Sequence, residues 1–197
     1  SKYKVMPDRI EAGTYALSVM GCSGRIFLEN MSNDVCDHLI KIFTPLKCLS
    51  LKKEKNGSVL EVKKTKSKFI PIKISTKEYP GFPTDLQAQL TAALLKSDGT
   101  SELKENIFEN RFMHISELKR MGADIKLRGS KIKIKGVKQI FGAEVMATDL
   151  RASSSLIIAG LMAKGLTTVN RVYHLDRGYE NLEKKLQNCG AKVWRVS

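Results

Sequence analysis

An internal repeat constrains this chain more than any other feature. Thr84-Asp85-Leu86-Gln87-Ala88-Gln89 returns as Thr148-Asp149-Leu150-Arg151-Ala152-Ser153, a spacing of 149 − 85 = 64 residues. Each copy opens an apolar run of helical length, with Leu90, Ala93 and Leu94 in one and Leu156, Ile157, Ala159 and Leu161 in the other. Each run leads to a glycine, Gly99 or Gly165, where a left-handed residue would stop the helix. A short strand pattern follows, Thr100 to Leu103 and Leu166 to Val169, and then a second helix pattern, Phe108 to Met121 and Tyr179 to Cys189. Gly122-Ala123 and Gly190-Ala191 close these, and hairpin strands end the unit, clearest at Ile125 to Leu127 and Lys131 to Lys135 around Gly129-Ser130.

The first segment fits the same plan more loosely. A helix pattern from Glu11 to Met20 stops near Gly24, and a strand pattern covers Arg25 to Leu28. A helix over Asn33 to Phe43 precedes strands at Cys48 to Leu51 and Ser58 to Val62, which turn at Asn56-Gly57. The expectation is an α/β (α+β) chain of three strand–helix–strand–helix–hairpin units, at 1–74, 75–137 and 138–197. No such unit buries its apolar faces alone, whereas three packed on a common helical core would. No linker separates them, so one domain over 1–197 is expected.

Composition narrows the classes. The chain has 197 residues and 42% hydrophobic usage, which is globular. No apolar run approaches the roughly 20 residues of a membrane helix, and no secretory signal pattern is present. Cys22, Cys36, Cys48 and Cys189 show no CxxC or Cys/His spacing, so neither a zinc site nor a disulfide framework is expected, and a reducing cytoplasm is the default. The net charge of +14 calls for acidic partners. Its lysines cluster at Lys52, Lys53, Lys55, Lys63, Lys64, Lys66, Lys68, Lys73 and Lys77, and again at Lys131, Lys133, Lys135 and Lys138. The second set alternates with Ile132 and Ile134, as on a strand with one dry and one wet face. A phosphate-tracking stripe and an ordinary solvated face both fit, and the scarcity of interleaved aromatics favours the second.

Several residues have the chemistry of a site. Thr84 and Thr148 suit helix N-caps, and Gln87 would complete a capping box after Thr84. Asp85 and Asp149 would then sit in positive first turns. Arg111, Arg151 and Arg177 stand out in a lysine-rich chain, because guanidinium forks bind carboxylate and phosphate bidentately. Pairing with Glu109, Asp149 and Asp176 is their plain structural alternative. His114 and His174 lie beside apolar residues and read as supporting groups. Cys22, at the end of an apolar helix without a base nearby, reads as a small buried hydrophobe.

Five stretches together carry a resemblance: Pro7 to Thr14, Gly81 to Gln89, Phe108 to His114, Met146 to Ser153 and Tyr173 to Glu180. They resemble the enolpyruvyl transferase family, and within it the C-terminal half of the branch acting on UDP-N-acetylglucosamine at the start of bacterial peptidoglycan synthesis. Only Lys47 to Lys77 looks divergent. The resemblance implies an inside-out α/β barrel domain, with sheets outside and helices inside, one of two that close on substrate. It implies transfer of enolpyruvyl from phosphoenolpyruvate to the sugar 3′-hydroxyl by addition and elimination, without metal or organic cofactor. By motif, Asp85 would meet the 3′-hydroxyl as proton acceptor, and Ile107 would contact the sugar nucleotide. Arg111, Arg151 and Arg177 would neutralise phosphoenolpyruvate, and Asp149 would orient the cleft. A carboxylate in a positive helical turn is a weak base, which leaves hydroxyl positioning as the second role open to Asp85.

The family's Lys-Asn pair and reactive-cysteine loop belong to the other half and have no counterpart here. The resemblance therefore implies a cytoplasmic bacterial enzyme whose N-terminal domain is a required partner, with this chain inactive alone. Nucleic acid and membrane are not expected partners. Two readings stand against this one: the shikimate branch of the family, and a basic nucleic-acid-binding domain resting on the +14 charge.

Overall fold

The structure is a computed structural model and describes residues 2–65 and 69–196, so Lys66 and Lys68 of the first lysine cluster lie outside the described residues. The chain opens with α1 (Arg9–Gly21), capped by Asp8, whose carboxylate accepts the Ile10 N–H at 2.7 Å. β1 (Arg25–Leu28) and α2 (Asn33–Phe43) follow as the patterns predict. α2 turns Val35, Cys36, Leu39, Ile42 and Phe43 inward at helical spacing, and Thr44-Pro45 ends it. β2 (Leu49–Glu54) and β3 (Val59–Lys64) form a hairpin whose turn needs left-handed backbone at Asn56 (φ 55°) and Gly57 (φ 85°).

The second unit runs β4 (Lys73–Ser75), α3 (Gln87–Ala93), β5 (Thr100–Lys104), α4 (His114–Arg120), β6 (Asp124–Arg128) and β7 (Lys131–Lys135). The third runs β8 (Glu144–Met146), α5 (Leu150–Met162), β9 (Thr168–Asn170), α6 (Tyr173–Asp176) and α7 (Leu182–Asn188). The sheets carry the repeat in their topology. Order β1-β3-β2 is antiparallel, and β4-β5-β7-β6 repeats it with one parallel strand added at the β5 edge. β8 and β9 pair in parallel, as β4 and β5 do, so each is joined through a helix as a βαβ crossover. Among the described residues no strand precedes α1, and 191–196 form none.

Three helices occupy the centre. α3 packs on both α1 and α5, and all seven of its residues are buried. Small residues permit the close approach: a Cβ on Gly13 would stand 2.6 Å from Leu86 Cδ1, inside contact distance. Around these helices one apolar cluster runs from Ile10 to Met162 and draws on residues of all three expected units. Fully buried leucines such as Leu17, Leu90 and Leu156 each contribute about 1.5–3 kcal/mol relative to exposure. On β7, Ile132 and Ile134 are buried while Lys131, Lys133 and Lys135 face solvent, as alternation predicts.

Several local expectations fail. Neither threonine is an N-cap. Thr84 begins a 3-10 turn (Thr84–Leu86) and spends its hydroxyl on Glu105, so α3 starts at Gln87 and no capping box forms. At α5 the cap is Asp149, and the buried Thr148 hydroxyl has no partner. Phe108 to Met113 is a turn rather than the start of α4, because the Ile107 and Phe108 amides bind the Glu105 carboxylate instead of a helical ladder. Tyr179 to Asn181 likewise precedes α7. Gly99 and Gly165 do take positive φ, but at the turns into β5 and β9 and not at the helix ends.

Candidate functional site

The starts of the α3 and α5 segments meet the turn after β5 at an open depression of about 790 Å³. Asp85 lines it, on the 3-10 turn leading into α3. Arg111 reaches it from the β5–α4 turn, Nη1 standing 2.7 Å from Asp85 Oδ1. Arg151, in the first turn of α5, places Nη2 3.2 Å from Oδ2. One carboxylate is thus held by two guanidinium groups from two different units. The expected local pairing does not occur: Glu109 and Asp149 are not the partners of these arginines, and Asp176 pairs with Arg195.

Each group has a support. The Arg111 guanidinium lies over the Phe108 ring at 4.3 Å and also donates to Thr84 Oγ1 at 3.0 Å. Asp149 fixes the backbone of Arg151 by accepting its N–H at 2.7 Å and that of Ala152 at 2.8 Å. The backbone carbonyl of Asp85 accepts from Gln89 Nε2 at 2.9 Å, and the same amide nitrogen reaches Thr14 and Tyr179 hydroxyls that bond each other at 2.8 Å. Tyr179 follows Arg177 by two residues, so this buried node ties α1, α3 and the Arg177 segment together. Arg177 lines the depression, and no ion pair to it occurs among the described residues.

The electrostatics follow. Burial by itself would raise the Asp85 pKa, but the charges of Arg151 and Arg111 and their hydrogen bonds outweigh it and hold the carboxyl below its usual range. His114, behind Arg111 and Asp149, is 2% exposed. Burial pushes its imidazole down to about 4, a shift Asp149 opposes and Arg111 reinforces, so it stays neutral at pH 7. Ile107 is 40% exposed and stands beside the depression without lining it. Cys22 is half-buried and its thiol is pushed up by burial, in keeping with an apolar role. Residues that spacing did not single out are Glu105 and Phe108; Phe108 has its partner three residues on, at Arg111, whereas Glu105 joins the nearby Ile107 and Phe108 amides to the distant Thr76 and Thr84 hydroxyls.

A cavity of about 770 Å³ beside α1 and α5 is comparable in size, but no carboxylate or guanidinium lines it. No group of metal-ligating side chains occurs among the described residues, and no helix there is long and apolar enough to cross a membrane. The chemistry on offer is anion recognition by forks around one carboxylate.

Comparison with known proteins fits that chemistry. UDP-N-acetylglucosamine 1-carboxyvinyltransferase of Campylobacter lari is 48% identical over 98% of this chain and 46% of its own length. The enzyme of the same name from Rhizobium leguminosarum bv. trifolii is 50% identical over all of this chain and 45% of its own. The chain thus spans a little under half the length of these curated relatives. The enolpyruvyl transferase NikO from Streptomyces tendae superposes with a TM-score of 0.87 at 22% identity, covering 98% of this chain and 45% of that one. EPSP synthase from Acinetobacter baumannii gives 0.68 at 17%, covering 100% and 46%. At those identities the two structures establish the fold alone. Residues 1–186 match one family throughout, and by that match the chain belongs to the EPSP synthase (3-phosphoshikimate 1-carboxyvinyltransferase) family.

Proposed function

We propose that this chain is one domain of a UDP-N-acetylglucosamine 1-carboxyvinyltransferase, which moves enolpyruvyl from phosphoenolpyruvate to the 3′-hydroxyl of UDP-N-acetylglucosamine and releases phosphate. The observation that carries the reading is the Asp85 carboxylate clamped by Arg111 and Arg151 beside Arg177. Phosphoenolpyruvate brings a carboxylate and a phosphate, two anions that planar forks recognise bidentately. The sugar-nucleotide acceptor is chosen over shikimate because relatives at 47–50% identity carry that name, whereas the EPSP synthase structure stands at 17%.

In this reading the arginines exchange partners. While they hold Asp85, it is a poor base. When substrate anions draw Arg111 and Arg151 away, Asp85 loses the charges that depress its pKa and can take the proton of the attacking hydroxyl. The hydroxyl oxygen bonds to C2 of phosphoenolpyruvate, C3 gains a proton, and a tetrahedral ketal forms. Loss of phosphate from C2 and of a proton from C3 completes the transfer. Arg177 and Arg151 stabilise charge on the leaving phosphate, Asp149 holds Arg151 in place, and Ile107 contacts the sugar nucleotide.

The site is open on one side, so a second domain has to close over it and exclude water. We assign that role to an N-terminal domain of the same enzyme, and expect this chain alone to be inactive. We read 1–74, 75–137 and 138–197 as three units of one inside-out α/β barrel domain, in an enzyme of the bacterial cytoplasm. The test is phosphate release by a full-length protein carrying these residues. UDP-N-acetylglucosamine should support it and shikimate 3-phosphate should not. Asp85→Asn should cut turnover by at least about 10³-fold while sugar-nucleotide affinity stays within about tenfold. Release with shikimate 3-phosphate instead, or near-normal turnover by Asp85→Asn, would sink the reading.

A further inference from the structure

Among the described residues Glu105 is the one acidic side chain that is fully buried, 1% exposed, and it touches neither the depression nor a basic group. Four donors converge on it instead. Oε1 accepts from the Thr76 hydroxyl at 2.7 Å and from the Ile107 and Phe108 amides at 2.8 and 3.2 Å. Oε2 accepts from the Thr84 hydroxyl at 2.9 Å. The hydroxyl directions are forced. Thr76 Oγ1 already accepts the Asn106 N–H at 2.8 Å, and Thr84 Oγ1 accepts Arg111 Nη1 at 3.0 Å. Since neither nitrogen can accept, each hydroxyl proton is left to point at Glu105.

We propose that Glu105 is a positioning residue for the enolpyruvyl transfer, acting on Arg111 through Thr84 and Phe108; this rests on the reading of Asp85 and Arg111 given above. The Arg111 guanidinium has three neighbours: Asp85, Thr84 and the Phe108 ring. Asp85 is the one a substrate anion displaces. The other two then hold the fork, and Glu105 fixes both, the first by its hydroxyl and the second by its amide.

The repeat supplies a built-in comparison. Thr148 occupies the place of Thr84, yet its buried hydroxyl has no partner. The glycine spacing of 165 − 99 = 66 carries Glu105 onto Arg171, whose guanidinium turns to the Tyr173 hydroxyl. The carboxylate latch therefore occurs in the unit that presents Asp85 and Arg111, and its counterpart has none.

Glu105→Gln tests this in a full-length protein. Gln keeps an oxygen for the two amides but turns an N–H₂ toward Thr84, whose hydroxyl can no longer donate there. The expected result is a loss of about 30- to 100-fold in kcat/KM for phosphoenolpyruvate, with KM for UDP-N-acetylglucosamine within about threefold. Combined with Thr84→Val, the loss should not exceed that of the worse single variant, because both act on one contact. A kcat/KM within threefold of wild type, or losses that multiply in the double variant, overturns the proposal. Should Glu105→Gln not fold, Thr84→Ser must exceed Thr84→Val by at least tenfold in kcat/KM, and equality overturns it. A wild-type protein without phosphoenolpyruvate-dependent phosphate release would instead be a failure of the functional reading. The ¹⁵N signals of the Arg111 guanidinium then decide the latch alone: distinct Nη signals in wild type that merge in Glu105→Gln uphold it, and unchanged signals overturn it.

Discussion

Asp149 and Arg151 stand two residues apart and hold different things in place: the Asp149 carboxylate accepts the Arg151 backbone N–H at 2.7 Å, while the Arg151 side chain reaches 3.2 Å to Asp85 in another unit. A helix cap is here also the mount of the side chain that grips Asp85. Asp149→Ala should cost about 1 kcal/mol through the lost cap, a fall of roughly 2–4 °C in Tm for a domain of this size. Asp149→Asn should recover most of that melting temperature. Both are read by thermal denaturation, and a loss in activity larger than the loss in stability would report the displaced Arg151.

Arg151→Lys separates charge from fork. A lysine keeps the charge but presents a point donor, so under the proposed function KM for phosphoenolpyruvate in a full-length protein should rise about 10- to 100-fold while Tm moves by less than about 2 °C. Arg111→Lys should be worse, because it also forfeits the Phe108 face and the Thr84 bond. Steady-state kinetics on the two variants checks the order.

His114 should make stability fall on mild acidification. Its folded pKa of about 4 lies below the ordinary 6.5, so the unfolded chain takes up the proton first as pH drops. The contribution is complete above about pH 6.5 and disappears as pH approaches 4, amounting to ~3 kcal/mol at most. Urea midpoints at pH 7 and pH 5 measure it, and His114→Gln should flatten the difference. Asp85, also held low in the fold, adds its own loss only below the usual carboxylate range.

Gly136→Ala should be the harshest of these changes on stability. A Cβ there would stand 1.7 Å from the Ser97 carbonyl oxygen, a backbone atom, where the Gly136 N–H binds Gly99 at 2.8 Å. β7 would have to part from its neighbours, at a cost above about 3 kcal/mol. Chemical denaturation of the variant gives the number.

What sequence made legible follows a physical division. Asn33 to Phe43 and Lys131 to Lys135 read correctly because a periodic apolar face is local information. Thr84 read wrongly because a hydroxyl that suits a cap can be claimed by a partner 21 residues away, and here Glu105 claims it. Phe108 to Met113 mimics helical spacing, yet the Ile107 and Phe108 amides at its entry serve a buried carboxylate. Arg111, Arg151 and Arg177 were identifiable by their type, but spacing suggested neighbours in sequence, and the partner of Arg111 and Arg151 proved to be Asp85. Asp85, Arg111 and Arg151 could thus be named from the chain, whereas the supports of Arg111 could not.

The complete burial of α3 has a consequence for anyone wishing to reshape the depression. Gln87 to Ala93 offers no solvent side on which to trial new side chains, and Asp85 hangs from its leading end. Reshaping the depression by changes there would disturb the middle of the molecule in every direction. The rewarding positions lie across the depression, at Ile107, Glu109 and Asn110, whose side chains face outward while the main chain of the turn stays pinned from beneath and the Phe108 ring is kept for Arg111. Diversity belongs on that turn, and α3 is best left as the fixed datum against which any new specificity is measured.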